Sequence, residues 1–128
     1  FDGLDRHLKE RGLRYDGNLL DCITEMITNL LFSREEFYEN EFTEDFWSSF
    51  ENEVVLQLKK LMEEAKSTSA AFIMVTNEIG MGLVPETYFS REFRDCAGRI
   101  NQSLAREADE VYFLVSGIPM KIKEKNCS

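Results

Sequence analysis

Apolar residues recur with the period of an amphipathic helix in three segments of the chain. Between Trp47 and Ala65 they repeat at intervals of three and four positions, which predicts one face of a long helix with Thr43 as a candidate N-cap. The segment Ile23–Phe32 also reads as a helix, and Pro85 suits the first turn of a third. The third helix carries the apolar stripe Phe89, Phe93, Cys96 or Ala97, Ile100 and Leu104.

Continuously apolar runs alternate with these helices and predict strands. They lie at residues 18–22, 70–76 and 111–115, and residues 120–123 could add a short edge strand. Strands that are apolar at successive positions are typical of a parallel sheet buried on both faces. We therefore expect an α/β fold, and the length of 128 residues indicates one domain, residues 1–128.

Charge and composition disfavour several classes of function. The formal charge of −9 disfavours binding to nucleic acid, which requires clustered Lys and Arg, and to an anionic membrane surface. No apolar run reaches the ~20 residues of a membrane span. The three cysteines, an odd number without metal-ligand spacing, favour reduced thiols in a cytoplasmic protein. The acidic stretch at residues 35–53 is interpreted as a solvated helical face.

Polar residues stand where the predicted strands end. Asp21 closes the first strand, Asn77 and Glu78 follow the second, and Ser116 and Gly117 follow the third. In open parallel sheets, ligands bind beyond the carboxyl ends of the strands, so these residues are candidates for one site. An Asp at such an end can hold Mg²⁺ beside a nucleotide, although it can equally serve as a helix cap.

Three stretches carry a resemblance to a known family. LLDCITEMITNLLF, VTNEIGMGLVPE and REFRDCAGRINQSLAREADEVYFLVSGIPMKIK resemble the adenosylcobinamide kinase / adenosylcobinamide-phosphate guanylyltransferase family of cobalamin biosynthesis. The resemblance runs from about Phe1 to Lys123 and is long and specific.

The resemblance implies a fold and an activity. The expected fold is a P-loop NTPase-like three-layer sandwich with a mostly parallel sheet. The expected enzyme phosphorylates adenosylcobinamide with ATP or GTP. It then transfers GMP from GTP, through a guanylyl-histidine, to give adenosylcobinamide-GDP. Mg²⁺ is the implied cofactor, and a cytoplasmic homotrimer is the implied assembly.

Two features of that family have no counterpart in these 128 residues. There is no G-x-x-x-x-G-K-[ST] phosphate loop, and the one histidine, His7, lies too close to Asp21 to be the guanylyl acceptor. His7 is expected on a helix surface. We therefore expect a C-terminal two-thirds of a family member, with the N-terminal strand and phosphate loop missing, that is inactive by itself. The alternative is a non-catalytic α/β binding or assembly module derived from this family.

Site residues follow from both arguments. The resemblance implies that Asp21 is a nucleotide-binding carboxylate near Mg²⁺, with Cys22 beside it. Asn77 and Gly80 are further candidates for nucleotide binding, because a glycine turn lets backbone approach a ligand. Glu78 is the candidate catalytic group, as a general base.

Structural interpretations of the same residues remain open. Cys22 could be a small core residue. Asn77 and Glu78 could cap the turn and pair with Arg94 or Arg99. The polar side of the third helix could bind corrinoid amides, phosphate or a neighbouring subunit, or could be solvated; it comprises Arg94, Arg99, Asn101 and Gln102.

Overall fold

A computed structural model describes residues 17–35 and 42–125 of the chain. His7, Cys127 and part of the acidic stretch lie outside these residues. The elements in chain order are β1 (Gly17–Asp21), α1 (Ile23–Phe32), α2 (Glu44–Lys66), β2 (Ala71–Val75), a 3₁₀ turn (Ile79–Met81), α3 (Tyr88–Glu107), β3 (Val111–Val115) and β4 (Ile118–Lys123).

The three helices build the hydrophobic core along the stripes that the periodicity predicts. Buried residues of all three helices belong to one cluster. At one end of it the rings of Phe46, Trp47, Phe50 and Phe89 meet in edge-to-face, stacked and tilted pairs. Phe89 and Phe93 are half-buried and pack against this core. The buried side chains are Ile23, Ile27 and Leu31 of α1, Trp47, Phe50, Val54, Leu58, Leu61, Met62 and Ala65 of α2, and Cys96, Ala97, Ile100 and Leu104 of α3.

Hydroxyl side chains start the two longer helices. The Phe46 amide donates to Thr43 Oγ1 at 3.2 Å, which confirms Thr43 as the N-cap of α2. The expectation for Pro85 is wrong, because α3 begins at Tyr88, three residues later. There Thr87 is the N-cap and its Oγ1 accepts from the Ser90 amide at 3.1 Å. The capping hydroxyl of Thr87 satisfies an orphan amide, which Pro85 cannot do.

Strand pairing confirms a parallel α/β arrangement but not one sheet of three strands. β1 pairs with β2 in parallel, with Gly17 opposite Ala71 and Asp21 opposite Val75. β3 instead pairs antiparallel with β4 in a second two-stranded sheet. The short strand expected at residues 120–123 is therefore part of β4, and the three-layer sandwich stays a prediction.

The expectation that each strand is buried on both faces is wrong for the part of the chain that the structure describes. Leu20, Phe72 and Met74 pack towards the helices. Their neighbours Leu19 and Ile73 are 66% and 55% exposed. Successive side chains of a strand point to opposite faces, and the described helices cover only one of them.

The β3–β4 hairpin turns through Ser116 and Gly117. Both have positive φ, 52° and 77°, as a two-residue type I′ turn requires. These residues belong to a hairpin in a separate sheet, so the expectation that they end a strand beside Asp21 in one parallel sheet is wrong. Lys123 Nζ anchors the hairpin to the last turn of α3 by donating to the carbonyls of Ala105 and Arg106 at 2.8 and 2.9 Å.

None of the helices within residues 17–35 and 42–125 has the length and apolar content needed to cross a bilayer.

Candidate functional site

Asp21 and Cys22 lie where β1 leads into α1. Because Asp21 stands opposite Val75 in the parallel register, both strands end at the same edge. Cys22, rather than Asp21, is the N-cap of α1, and its Sγ accepts from the Glu25 amide at 3.4 Å. The helix-cap interpretation of Asp21 is therefore wrong, and its exposed carboxylate points to no described cation. Cys22 is half-buried and outside the group of fully buried core residues.

Hydrogen bonds among Thr24, Thr76, Asn77 and Asn101 connect the segments at the carboxyl edge of the parallel sheet. The Asn77 amide donates to Thr24 Oγ1 at 3.0 Å, and Thr24 Oγ1 lies 3.3 Å from Thr76 Oγ1. Thr76 Oγ1 donates to Asn101 Oδ1 at 2.7 Å, and Asn101 Nδ2 donates to the Asn77 carbonyl at 3.3 Å. The start of α1, the exit of β2 and one face of α3 are thus joined by side-chain hydrogen bonds.

Glu78 caps the short 3₁₀ turn that follows. Its Oε1 accepts from the Gly80 amide at 3.0 Å, which bears out the interpretation of Glu78 as a turn cap. A Cβ on Gly80 would lie 2.8 Å from this same oxygen. A side chain at position 80 would therefore displace the Glu78 carboxylate from this hydrogen bond.

Arginines of α3 hold the loop after Glu78 through its backbone. Arg94 donates from Nη2 to the Gly80 carbonyl and from Nη1 to the Leu83 carbonyl, the latter at 3.4 Å. Arg91 Nη1 donates to the Pro85 and Glu86 carbonyls at 3.2 and 2.8 Å. The alternative in which Glu78 pairs with Arg94 or Arg99 is wrong for the described residues, because Arg94 is directed at carbonyl oxygens and Arg99 pairs elsewhere.

Arg99 pairs instead with Glu51 of α2, Nε to Oε1 at 2.5 Å. This hydrogen bond raises the pKa of the Arg99 guanidinium above its ordinary value. The pair joins α2 to α3 at the surface, with Arg99 about half exposed. Arg99 therefore serves helix packing in this structure, and its charge is largely satisfied before any ligand arrives.

An open cleft of about 300 Å³ lies between the Glu78 loop and α3. It is lined by Glu78, Gly80, Arg94, Asp95, Gly98, Arg99 and Gln102. Its walls are polar and carry both signs of charge, and Gly98 has no atom within 4 Å of where its Cβ would stand, which leaves the floor open. The cleft therefore suits a polar ligand that brings hydrogen-bonding groups of its own.

The charged groups available to the site are carboxylates and guanidinium groups. Within residues 17–35 and 42–125 no three His, Cys, Asp or Glu side chains gather as a metal cluster. Burial, reinforced by the charge of Glu51, raises the pKa of the Cys96 thiol to about 12. Cys96 is thus a protonated core residue at neutral pH and cannot act as a nucleophile.

Sequence reasoning missed Thr24, Thr76 and the pairing role of Asn101. Thr24 and Asn77 are separated by 53 positions, and no local pattern connects them. One signal was available: Asn101 occupies a helix interior, where asparagine is unfavourable and polar contacts often explain its presence.

Comparison with known proteins gives consistent matches. The family model described as cobinamide kinase / cobinamide phosphate guanyltransferase matches residues 2–122. A bifunctional adenosylcobalamin biosynthesis protein of Salmonella typhimurium is 45% identical over 108 residues, which are 84% of this chain and 59% of that protein. The Escherichia coli protein of the same description is 44% identical over 82% of this chain and 57% of its own length.

A more distant relative carries the same description. The bifunctional adenosylcobalamin biosynthesis protein of Pseudomonas aeruginosa is 30% identical over 105 residues, 82% of this chain and 52% of that protein. The chain thus spans little more than half the length of these curated relatives.

Proposed function

This chain belongs to the cobinamide kinase / cobinamide phosphate guanyltransferase family, and we propose on that basis that the complete protein is a bifunctional enzyme of cobalamin biosynthesis. It phosphorylates adenosylcobinamide with a nucleoside triphosphate and then transfers GMP from GTP to the phosphorylated product. The names of the relatives support this assignment. The observation that carries it here is the edge at which the paired parallel strands β1 and β2 both end. Asp21 is the last residue of β1, and the loop that contains Glu78 follows β2.

The nucleotide site is proposed at this edge, formed by Asp21, Cys22, Asn77 and Gly80. Exposed carboxyl ends of parallel strands are where α/β folds bind ligands. Asp21 ends β1 at that edge, and Gly80 lies in the 3₁₀ turn that follows β2. Cys22 acts by starting α1, and Asn77 acts by the hydrogen bonds that orient the loop. These two residues thus shape the site rather than supply its charge.

Mg²⁺ fits the Asp21 side of the site. Mg²⁺ is commonly held by one or two carboxylates together with water and substrate phosphates, and Asp21 is an exposed carboxylate with no described ion-pair partner. A bound Mg²⁺ supplies positive charge that neutralises the phosphate oxygens. Asp21 would hold it at the strand end, and no cage of several carboxylates is required.

Glu78 is proposed as the base that accepts the proton of the substrate hydroxyl. One carboxylate oxygen is engaged by the Gly80 amide, and this bond fixes the direction of the group. Glu78 lines the open cleft, and its second carboxylate oxygen is proposed to accept from a substrate hydroxyl there. Arg94 and Gln102 on the opposite wall are placed to contact phosphate or corrinoid amide groups.

The assembly is proposed to be a cytoplasmic homotrimer. Support comes from the β3–β4 hairpin, whose large apolar side chains are exposed, a condition typical of contact surfaces. They are Tyr112, Leu114, Val115, Ile118, Met120 and Ile122. Sedimentation of the complete protein tests the trimer, and a sedimenting monomer at micromolar concentration rules it out.

The test of the function is direct turnover by the complete protein. Incubation with adenosylcobinamide, Mg²⁺ and ATP or GTP should yield the phosphate and then the GDP derivative, each identified by mass. Asp21→Asn should lower turnover at least tenfold, because it removes charge beside the phosphates. Asp109→Asn, an exposed carboxylate between α3 and β3, is the matched control and should be unchanged. Absence of both products from the wild-type protein would refute the proposal.

A further inference from the structure

The hydrogen bonds at the sheet edge form a closed ring with one direction. The Asn77 carbonyl can only accept, so the nitrogen of the Asn101 carboxamide must face it, which leaves Asn101 Oδ1 to accept from Thr76. The one hydroxyl proton of Thr76 is thus used in the bond to Asn101, so the Thr24 hydroxyl must donate to Thr76 Oγ1. Thr24 Oγ1 in turn accepts from the Asn77 amide. The ring begins and ends on the Asn77 backbone.

We propose that Asn101 is a positioning residue for the reaction. By closing this ring it fixes the backbone of Asn77, and thereby the position of Glu78, the next residue. The proposal rests on the proposed function, since it assigns to Asn101 the placement of the candidate base. Asn101 itself touches Thr76 and Asn77, not the cleft.

A carboxamide is the side chain that this position demands. It must donate to a carbonyl and accept from a hydroxyl at the same time, and Asn does so with few rotatable bonds. An Asp in the same shape would turn a carboxylate oxygen towards the Asn77 carbonyl, so a hydrogen bond would become a repulsion. Because all four bonds run in one direction, a side chain at position 101 that cannot both donate and accept breaks the ring there.

Arg94 holds the other end of the same segment. It lies seven positions before Asn101, two helical turns along α3, so both side chains project from one face of the helix. Asn101 binds the backbone just before Glu78, and Arg94 binds the backbone at Gly80 and Leu83 just after it. Glu78 is therefore held between two contacts from a single helix, and removal of one leaves the segment free to pivot on the other.

The experiment compares Asn101→Asp with the wild type in the complete protein, using two readouts. Hydrogen exchange reports the ring itself, and amides of residues 76–82 should exchange at least tenfold faster in the variant while those of α2 do not change. Turnover reports positioning, and kcat for phosphorylation should fall about ten- to a hundredfold, the size expected for a misplaced reacting group, with KM for the nucleotide changed less than threefold. Asn52→Asp, an exposed asparagine of α2, gives the same charge change and should alter neither.

A second variant tests whether Thr76 and Asn101 act through the same ring. Thr76→Val removes the hydroxyl between Thr24 and Asn101, and the double variant with Asn101→Asp should be little worse in kcat than either alone, because both break one ring. Additive losses would overturn the proposal.

Faster exchange with unchanged kcat would overturn it too, since Asn101 would then be structural only. Unchanged exchange would show that the ring does not hold the segment. A wild-type protein without turnover would instead refute the proposed function, while the exchange result would still decide whether the ring exists.

Discussion

The helical core and the two small sheets both carry large apolar side chains but differ in how these are buried. Leu58 and Ile100, on facing helices, are fully buried, whereas Leu19 and Ile73 on the paired parallel strands are more than half exposed. A helix presents one stripe and needs one partner surface, which the other two helices supply. A continuously apolar strand has two faces, and the described helices cover only one. Apolar content therefore predicts the partner of a helix better than that of a strand.

The largest effect should come from truncating the core side of this comparison. Leu58→Ala leaves a cavity among three helices and should lower the free energy of unfolding by about 2–5 kcal/mol. Leu19→Ala removes the same atoms from an exposed strand face and should cost less than about 1 kcal/mol. Urea denaturation of the complete protein measures both. Similar costs for the two variants would mean that the exposed face of β1 is covered in the complete protein.

Cys96 provides a pH-dependent test of burial within α3. Its pKa of about 12 lies above the ordinary value of 9.0. The contribution of the protonated thiol to the free energy of unfolding is therefore fully present below pH 9 and is lost as the pH rises towards 12. At pH 10.5 the loss should be about 2 kcal/mol, given ~1.4 kcal/mol per pH unit.

Cys96→Ala supplies the comparison for that measurement. The variant should lose less stability than the wild type between pH 8 and 10.5, although it starts from a lower value because of the small cavity. Equal losses in both proteins would show that Cys96 does not titrate in this way. Half-buried Cys22 should be alkylated in the native state while Cys96 is protected until unfolding.

A smaller effect should separate two glycines of the edge loop. Gly80→Ala places a Cβ 2.8 Å from Glu78 Oε1, so the carboxylate must move, and turnover should fall about tenfold, equivalent to ~1.4 kcal/mol. Gly82→Ala is the matched control, because its Cβ would meet its nearest atom, the Ile79 carbonyl oxygen, at an ordinary 3.8 Å. Thermal melting of the two should differ little, since a flexible side-chain end can yield. Equal turnover in both variants would remove Glu78 from the proposed mechanism.

The sequence predicted most of the helical core and part of the site, for physical reasons that differ. Periodicity identifies the buried stripe of α2 because a helix repeats its face every three or four residues, and the cap at Thr43 is likewise local. The antiparallel partner of β3 was not predicted as such, since an apolar run does not state its direction. The tie between Thr24 and Asn77 was missed because it depends on tertiary structure, as does the diversion of Arg99 to Glu51.

The most direct test is a hydrogen-exchange footprint of Mg²⁺ and a non-hydrolysable GTP analogue on the complete protein. The nucleotide site is proposed at the edge where β1 and β2 end, so protection should appear in residues 21–26 and 76–82. Exchange in the β3–β4 hairpin, residues 111–123, should stay unchanged. Protection confined to the hairpin or to other segments, with none at the two strand ends, would contradict the placement of the site.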